Sequence, residues 1–215
     1  MVPRTGFVAL CAASLTLTSA VAQQKPVRVR GSIEQVNGPV LTVKSREGDT
    51  LTVKLADDAK VLALVKASPA DIKPGSYVGA TAMPEANGTW KAVEVHIFPE
   101  SMRGLGLGDR PWDLKPKSTM TNGTVSSAVN NRAMSGTVGG AVAKTEGPTI
   151  TIEYQNHAEK EIELTPDTMI VSYTPGNKDE LKSGARIFIP AATRQPDGSL
   201  IAARVNVGRG VTPPM

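Results

Sequence analysis

Ligand or proton-transfer chemistry in this sequence rests on very few side chains. The chain has two histidines, His96 and His157. His96 alternates with Val95 and Ile97, the period of a strand, so it is expected to point out of the sheet it belongs to. His157 sits in a turn-like stretch among Glu153, Glu159 and Glu161. Backed by Glu or Met, either has the makings of a Cu or Zn ligand. A metal site needs several ligands to converge, however, and these two stand at unrelated places, so the plainer expectation is two solvated surface histidines. Met83, Met102, Met120, Met134 and Met169 offer soft sulfur for Cu(I), yet none forms an M-x-x-M or H-x-x-M cluster. Met169 lies in a strand-like run and reads as core filler.

Other chemistries find no support. G-x-S-x-G and H-E-x-x-H are both missing, so neither a hydrolase elbow nor a zinc-protease helix is present. Asp57 and Asp58 read as a helix cap, not as a paired acid and base. Gly104-Leu105-Gly106-Leu107-Gly108 is not followed by the Gly-Lys-Ser/Thr of a phosphate loop; it reads as a flexible linker. No catalytic residue and no cofactor are expected. Trp112, between Pro111 and Asp113, is expected to anchor that linker by burying its ring.

The elements that would position these residues follow a repeat. Gly38-Pro39-Val40-Leu41-Thr42-Val43 recurs 109 residues later as Gly147-Pro148-Thr149-Ile150-Thr151-Ile152. Each is a turn signal feeding a β-branched run. Leu55 falls on Leu164, Asp58 on Asp167, Ile72 on Leu181 and Gly75 on Gly184. With one extra residue, Gly88 falls on Gly198, Ala92 on Ala202, Val95 on Val205 and Ile97 on Val207. The first copy reads as three strands, at 27–34, 41–44 and 51–55, then a short helix over 57–66. That helix rests on the spacing of Val61, Leu62, Leu64 and Val65. Strands at 77–82 and 90–97 follow. The second copy begins near Asn122 and carries an added hairpin, with arms at 123–129 and 136–142. This order fits a small five-stranded Greek-key barrel of the oligonucleotide/oligosaccharide-binding (OB-like) type. The expected organisation is therefore all-β: two tandem OB-like barrels at 23–99 and 122–208, each with a short helical connection, joined by a Gly/Pro linker at 100–121 and ending in a tail at 209–215.

Residues 1–22 read as a cleavable signal peptide. Arg4 precedes an apolar stretch, and Ala20-Val21-Ala22 gives a small-x-small cleavage site. The localisation expected is periplasmic or secreted. Cleavage would remove Cys11, the one cysteine, and lower the formal charge from +4 to +3 through loss of Arg4. A charge this small does not mark a nucleic-acid binder. Arg28, Arg30, Lys44 and Lys54 share a strand face with almost no aromatics and read as a solvated charged edge. No later segment approaches the roughly 18 apolar residues of a transmembrane helix.

The order of signals at Gly31-Ser32-Ile33, Leu41-Thr42-Val43, Asp71-Ile72, Gly75 and Gly88, with Ala92, Val95 and Ile97, resembles a family of exported bacterial β-barrel domains known only as a domain of unknown function. The pattern recurs at Leu164, Leu181, Gly184, Asp197-Gly198 and Ala202. Arg110-Pro111-Trp112-Asp113-Leu114 with Met120-Thr121-Asn122 is similar to one subset of that family, in which a His often stands at the place of Asp109. Some members of that subset are labelled metal transporter permeases. The resemblance implies a β-barrel fold and brings no catalytic residues. In the linker, Arg103, Asp109, Arg110, Trp112 and Asp113 are candidate binding residues, beside His96 and His157 as candidate metal ligands; the departure from His at Asp109 weakens a metal role for the linker. The function expected is a non-catalytic binding or scaffold module of the bacterial cell envelope, partnered by an envelope protein or an anionic envelope polymer. The alternative is periplasmic Cu or Zn handling.

Overall fold

A computed structural model describes residues 25–86, 88–129 and 147–213. The expected signal peptide, Met134 and the 136–142 arm of the added hairpin lie outside them. Twelve strands run through the described chain: β1 (Val27–Asn37), β2 (Val40–Ser45), β3 (Thr50–Lys66), β4 (Tyr77–Pro84), β5 (Trp90–Ile97), β6 (Gly108–Pro111), β7 (Thr119–Val129), β8 (Thr149–Glu153), β9 (Glu159–Glu163), β10 (Met169–Pro175), β11 (Arg186–Arg194) and β12 (Leu200–Gly208). The protein is all-β, and its strands close into five-stranded barrels.

Which strands close with which differs from expectation. The first barrel is β1, β2, β3, β12 and β11, with β11 pairing back to β1. The second is β7, β8, β9, β5 and β4, with β4 pairing back to β7. Each therefore takes three consecutive strands from one half of the sequence and two from the other. The boundaries 23–99 and 122–208 do not delimit the barrels. Their cores say the same. Val29, Ile33, Leu41, Val43 and Val53 pack with Ile187, Ile189, Leu200, Val205 and Val207. Val78, Ala80, Ala92 and Val95 pack with Val125, Ile150, Ile152 and Ile162. In both barrels the order is that of an OB-like fold, the third strand running parallel to the fifth.

The exchange hinges on β3 and β10. Leu64 faces Tyr173 in their antiparallel pairing, with Lys66 opposite Val171 and Leu62 opposite Pro175. Leu64 and Tyr173 are 109 residues apart, the same spacing as Gly38 and Gly147. An approximate two-fold axis thus passes through this pair, and other registers obey it. Val205 pairs with Val61 on one side, Val95 with Ile170 on the other. Gly75 and Gly184 share a positive φ, 85° and 82°.

The stretch 57–66, expected as a helix, is the second half of β3. Its burial alternates, with Ala59, Val61 and Ala63 inside, and it pairs with β12 and β10 on its two edges. Two sets of sheet hydrogen bonds outweigh the weak helical spacing of the apolar residues. The helical elements are short 3-10 turns. Those at Pro69–Asp71 and Lys178–Glu180 occupy equivalent places and carry equivalent capping boxes on Ser68 and Asn177.

Residues 98–118 are not a free linker. Glu100–Met102 forms a 3-10 turn, and β6 adds to the edge of β7. This segment, called the strap below, lies across both barrels. The tail is also held: Arg209 donates its backbone N–H to the Leu64 carbonyl and pairs with Glu180, and Arg186 bonds Thr212. Met169, expected in a core, is 43% exposed. No helix among the described residues is long and apolar enough to cross a membrane.

Candidate functional site

His96 leaves its strand on the side away from the barrel core, as alternation requires, yet only 4% of it is exposed. The expectation of a solvated histidine fails because the first barrel and the strap close over the outer face of β5. Between them is a cavity of about 260 Å³. Its walls come from β5 (Glu94, His96), β10 (Tyr173), β11 (Phe188, Pro190), β12 (Arg204, Asn206) and β7 (Met120, Asn122). The strap roofs it with Met102, Leu105, Gly106, Arg110 and Trp112, and Arg28 of β1 stands at its rim.

The aromatic part is ordered by stacking. Phe98 and Tyr173 lie nearly parallel, with ring centroids 5.2 Å apart. His96 tilts against both. The Tyr173 hydroxyl is 3.0 Å from His96 Nδ1. Burial pushes the Tyr173 pKa far above the ordinary phenol value, so the hydroxyl keeps its proton; which of the two groups donates is set by the imidazole tautomer. Nε2 lies 3.5 Å from a Glu94 carboxyl oxygen, and no hydrogen-bond partner among the described residues reaches it. Glu94 in turn accepts from Thr81 Oγ1 at 2.9 Å.

The polar part is cationic. Arg28, Arg110 and Arg204 line the cavity against one carboxyl group, Glu94. Arg28 lies 4.1 Å over the Trp112 ring, and Arg110 sits 5.5 Å from its centroid. Burial, and Arg28 beside it, hold the Arg110 guanidinium below its ordinary pKa. Its Nη1 donates to the Gly106 carbonyl at 2.7 Å. Arg204 has no ion-pair partner among the described residues. Four buried polar atoms at this cavity lack hydrogen-bond partners: His96 Nε2, Trp112 Nε1, Asn122 Oδ1 and Asn206 Oδ1. Unpaired buried groups carry a substantial cost, and here four of them gather at one place.

The expected binding residues divide into two sets. Arg110 and Trp112 line the cavity; Arg103, Asp109 and Asp113 do not, and fasten the strap. Arg103 donates to the Gly75 carbonyl at 2.9 Å and pairs with Glu100. Asp109 accepts from Thr121 at 2.7 Å and from Lys160 Nζ at 3.1 Å. Lys160 also sits 3.4 Å over the Trp90 ring. Asp113 accepts from Arg30 and Arg28; Arg30 is thereby buried rather than part of the expected solvated edge, while Arg28 stays exposed. The strap is thereby tied to the first barrel by Asp113 and to the second by Asp109. His157 is highly exposed and pairs with Glu153; it is not at the cavity. Among the described residues no three His, Cys, Asp or Glu side chains converge on a common point.

The chain matches no protein-family model, no curated protein and no solved structure. Function therefore has to be argued from the cavity itself.

Phe98, Tyr173, Phe188, Glu94 and Arg204 are not marked as site residues by the sequence; Asn122 enters only through the resemblance and Asn206 only as the repeat partner of His96. A usable signal was present. Glu94 and Arg204, and likewise His96 and Asn206, are 110 positions apart, the offset that relates Val95 to Val205. Arg28 and Met120 are 92 apart, as are Gly31 and Gly123, which pack identically against a neighbouring carbonyl. All three pairs line the cavity. The equivalent core positions keep their chemistry, while these do not. The lining has no Ser, Thr or Cys, so the arrangement supplies hydrogen bonds, charge and ring surfaces but no side-chain nucleophile of those types.

Proposed function

We propose that the chain is a non-catalytic, exported binding module of the cell envelope, built from two copies of one β unit, and that it binds through the cavity between its barrels. The observation that carries this reading is the pattern at the axis. Position pairs that a symmetric core would leave alike have become Glu94 with Arg204, His96 with Asn206 and Arg28 with Met120, around a space whose buried polar atoms lack partners. Recognition of an asymmetric guest accounts for both facts. A scaffold role alone accounts for neither.

The test is thermal stability of the mature chain in the small-molecule fraction of envelope extracts. Binding to the folded state raises the melting temperature by mass action. Ala191→Trp, at the rim and outside both cores, fills the opening and is expected to abolish the rise while leaving the unliganded melting temperature within about 2 °C. A rise that persists in Ala191→Trp overturns the reading. Export is tested by N-terminal sequencing of the protein recovered from the periplasm, expected to start at Gln23.

Periplasmic Cu or Zn handling is the second reading. It draws on one specific observation: His96, Met102 and Met120 border the same cavity. Three guanidinium groups there work against a cation, and His157 is elsewhere. Stoichiometric Cu(I) binding that is lost in His96→Leu would favour it over the first.

A further inference from the structure

Resting on the binding role proposed above, we propose that the ligand taken up between the barrels is a small molecule carrying a carboxylate or similar oxyanion on a flat apolar body. Charge is the first argument. Arg28, Arg110 and Arg204 face a single carboxyl group in the lining, and the nearby Asp113 is already shared between Arg28 and Arg30. Arg110 spends one N–H on the Gly106 carbonyl, leaving most of its five donors for a guest. Guanidinium and carboxylate match in a two-pronged geometry, which makes such pairs shorter and stronger than neutral ones.

Donor type is the second argument. Trp112 Nε1 can only donate, and its ring lies against two of the arginines. His96 Nε2, on a side chain only 5% exposed, is a second buried ring nitrogen without a partner. The guest must bring an acceptor for the Trp112 donor. The unpaired carbonyl oxygens of Asn122 and Asn206 offer places for a hydroxyl or amide N–H on the same molecule.

Shape and composition are the third. The chain has two Trp, three Tyr and three Phe, and half of these, Phe98, Trp112, Tyr173 and Phe188, line this one cavity. A volume of about 260 Å³ holds roughly nine waters at liquid density, so the guest has on the order of ten heavy atoms.

The experiment is calorimetric titration of the mature chain with four probes: benzoate, benzamide, benzylamine and inorganic phosphate. Benzoate is expected to bind at least tenfold more tightly than benzamide, with benzylamine weakest. Arg110→Gln and Arg204→Gln, on the strap and on β12, are each expected to weaken benzoate about tenfold or more while changing benzamide less than twofold. Two variants on separate elements keep the test valid if one fails to fold, and a melting curve of each identifies such a failure. Benzamide or benzylamine binding as tightly as benzoate overturns the anion inference while leaving the cavity a binding site. Phosphate matching benzoate overturns the apolar half of it. Absence of binding by all four probes, in a chain whose melting temperature does rise in envelope extract, also overturns it. Absence of both overturns the binding role beneath it.

Discussion

Asp113 holds the strap to the first barrel. Burial tends to raise its pKa, but hydrogen bonds from Arg30 and the charges of Arg30 and Arg28 outweigh that and leave it below the ordinary carboxylate value. The sign follows from linkage. A depressed folded-state pKa contributes stability that is fully present above the unfolded value near 3.9 and is lost as pH falls through the folded value. Asp113→Asn is expected to cost about 1 kcal/mol at neutral pH, since it strips charge from a bond to the largely buried Arg30 but Asp113 itself is 45% exposed and screened by solvent. It should also flatten the stability profile below about pH 4. Urea melts at pH 7 and pH 3 check both; an equal loss at the two pH values would refute the ion pair's role. His96 teaches a related lesson at this scale. Alternation along 95–97 gave its direction out of the barrel, but nothing in the sequence said that a second barrel stood there to bury it.

Among the elements, β1 shows where a strand tolerates no side chain. A Cβ at Gly31 would lie 2.1 Å from the Lys44 carbonyl oxygen, and one at Gly123 would lie 2.2 Å from that of Glu153. Neither backbone can yield without unzipping β1 from β2 or β7 from β8. Gly31→Ala and Gly123→Ala are each expected to destabilise by at least about 2 kcal/mol, and by similar amounts, as measured by thermal melts. A harmless substitution at either would show that the packing is looser than described. The strands at both glycines were legible from alternation and turn chemistry. β3 was legible only up to Leu55. Beyond it, Val61, Leu62, Leu64 and Val65 crowd the sequence with apolar residues because this segment packs Val61 and Ala63 into a barrel on one face and buries Leu64 outside that core on the other. A strand covered on both faces loses the clean alternation that identifies strands. Likewise, the 98–118 stretch has the composition of a linker, and its fastening by Asp109 and Asp113 depends on Lys160 and Arg30, far away in the sequence.

For the whole molecule, the repeat offsets of 109 and 110 fix which positions are equivalent. They do not fix whether a copy pairs with itself or with its sister, because both arrangements use the same contacts. Barrel membership was therefore not readable from one sequence. The exchange predicts that neither half stands alone. Residues 23–116 and 117–215, expressed separately, are each expected to show little native sheet, while co-expression should restore a 1:1 complex with the melting behaviour of the intact chain. Circular dichroism and size-exclusion chromatography decide this. A folded monomeric 23–116 fragment would contradict the pairing of β3 with β12.

Synthesis runs in one direction, and enclosure of the strands does not follow it. The second barrel has all its strands once residue 163 has been made, whereas β1, β2 and β3, produced first, must wait for residues 200–208 to seal them. Throughout that interval three apolar-lined strands present unsatisfied edges, the situation in which nascent chains stick to one another. The earliest part of the polypeptide is thus the last to be sheltered.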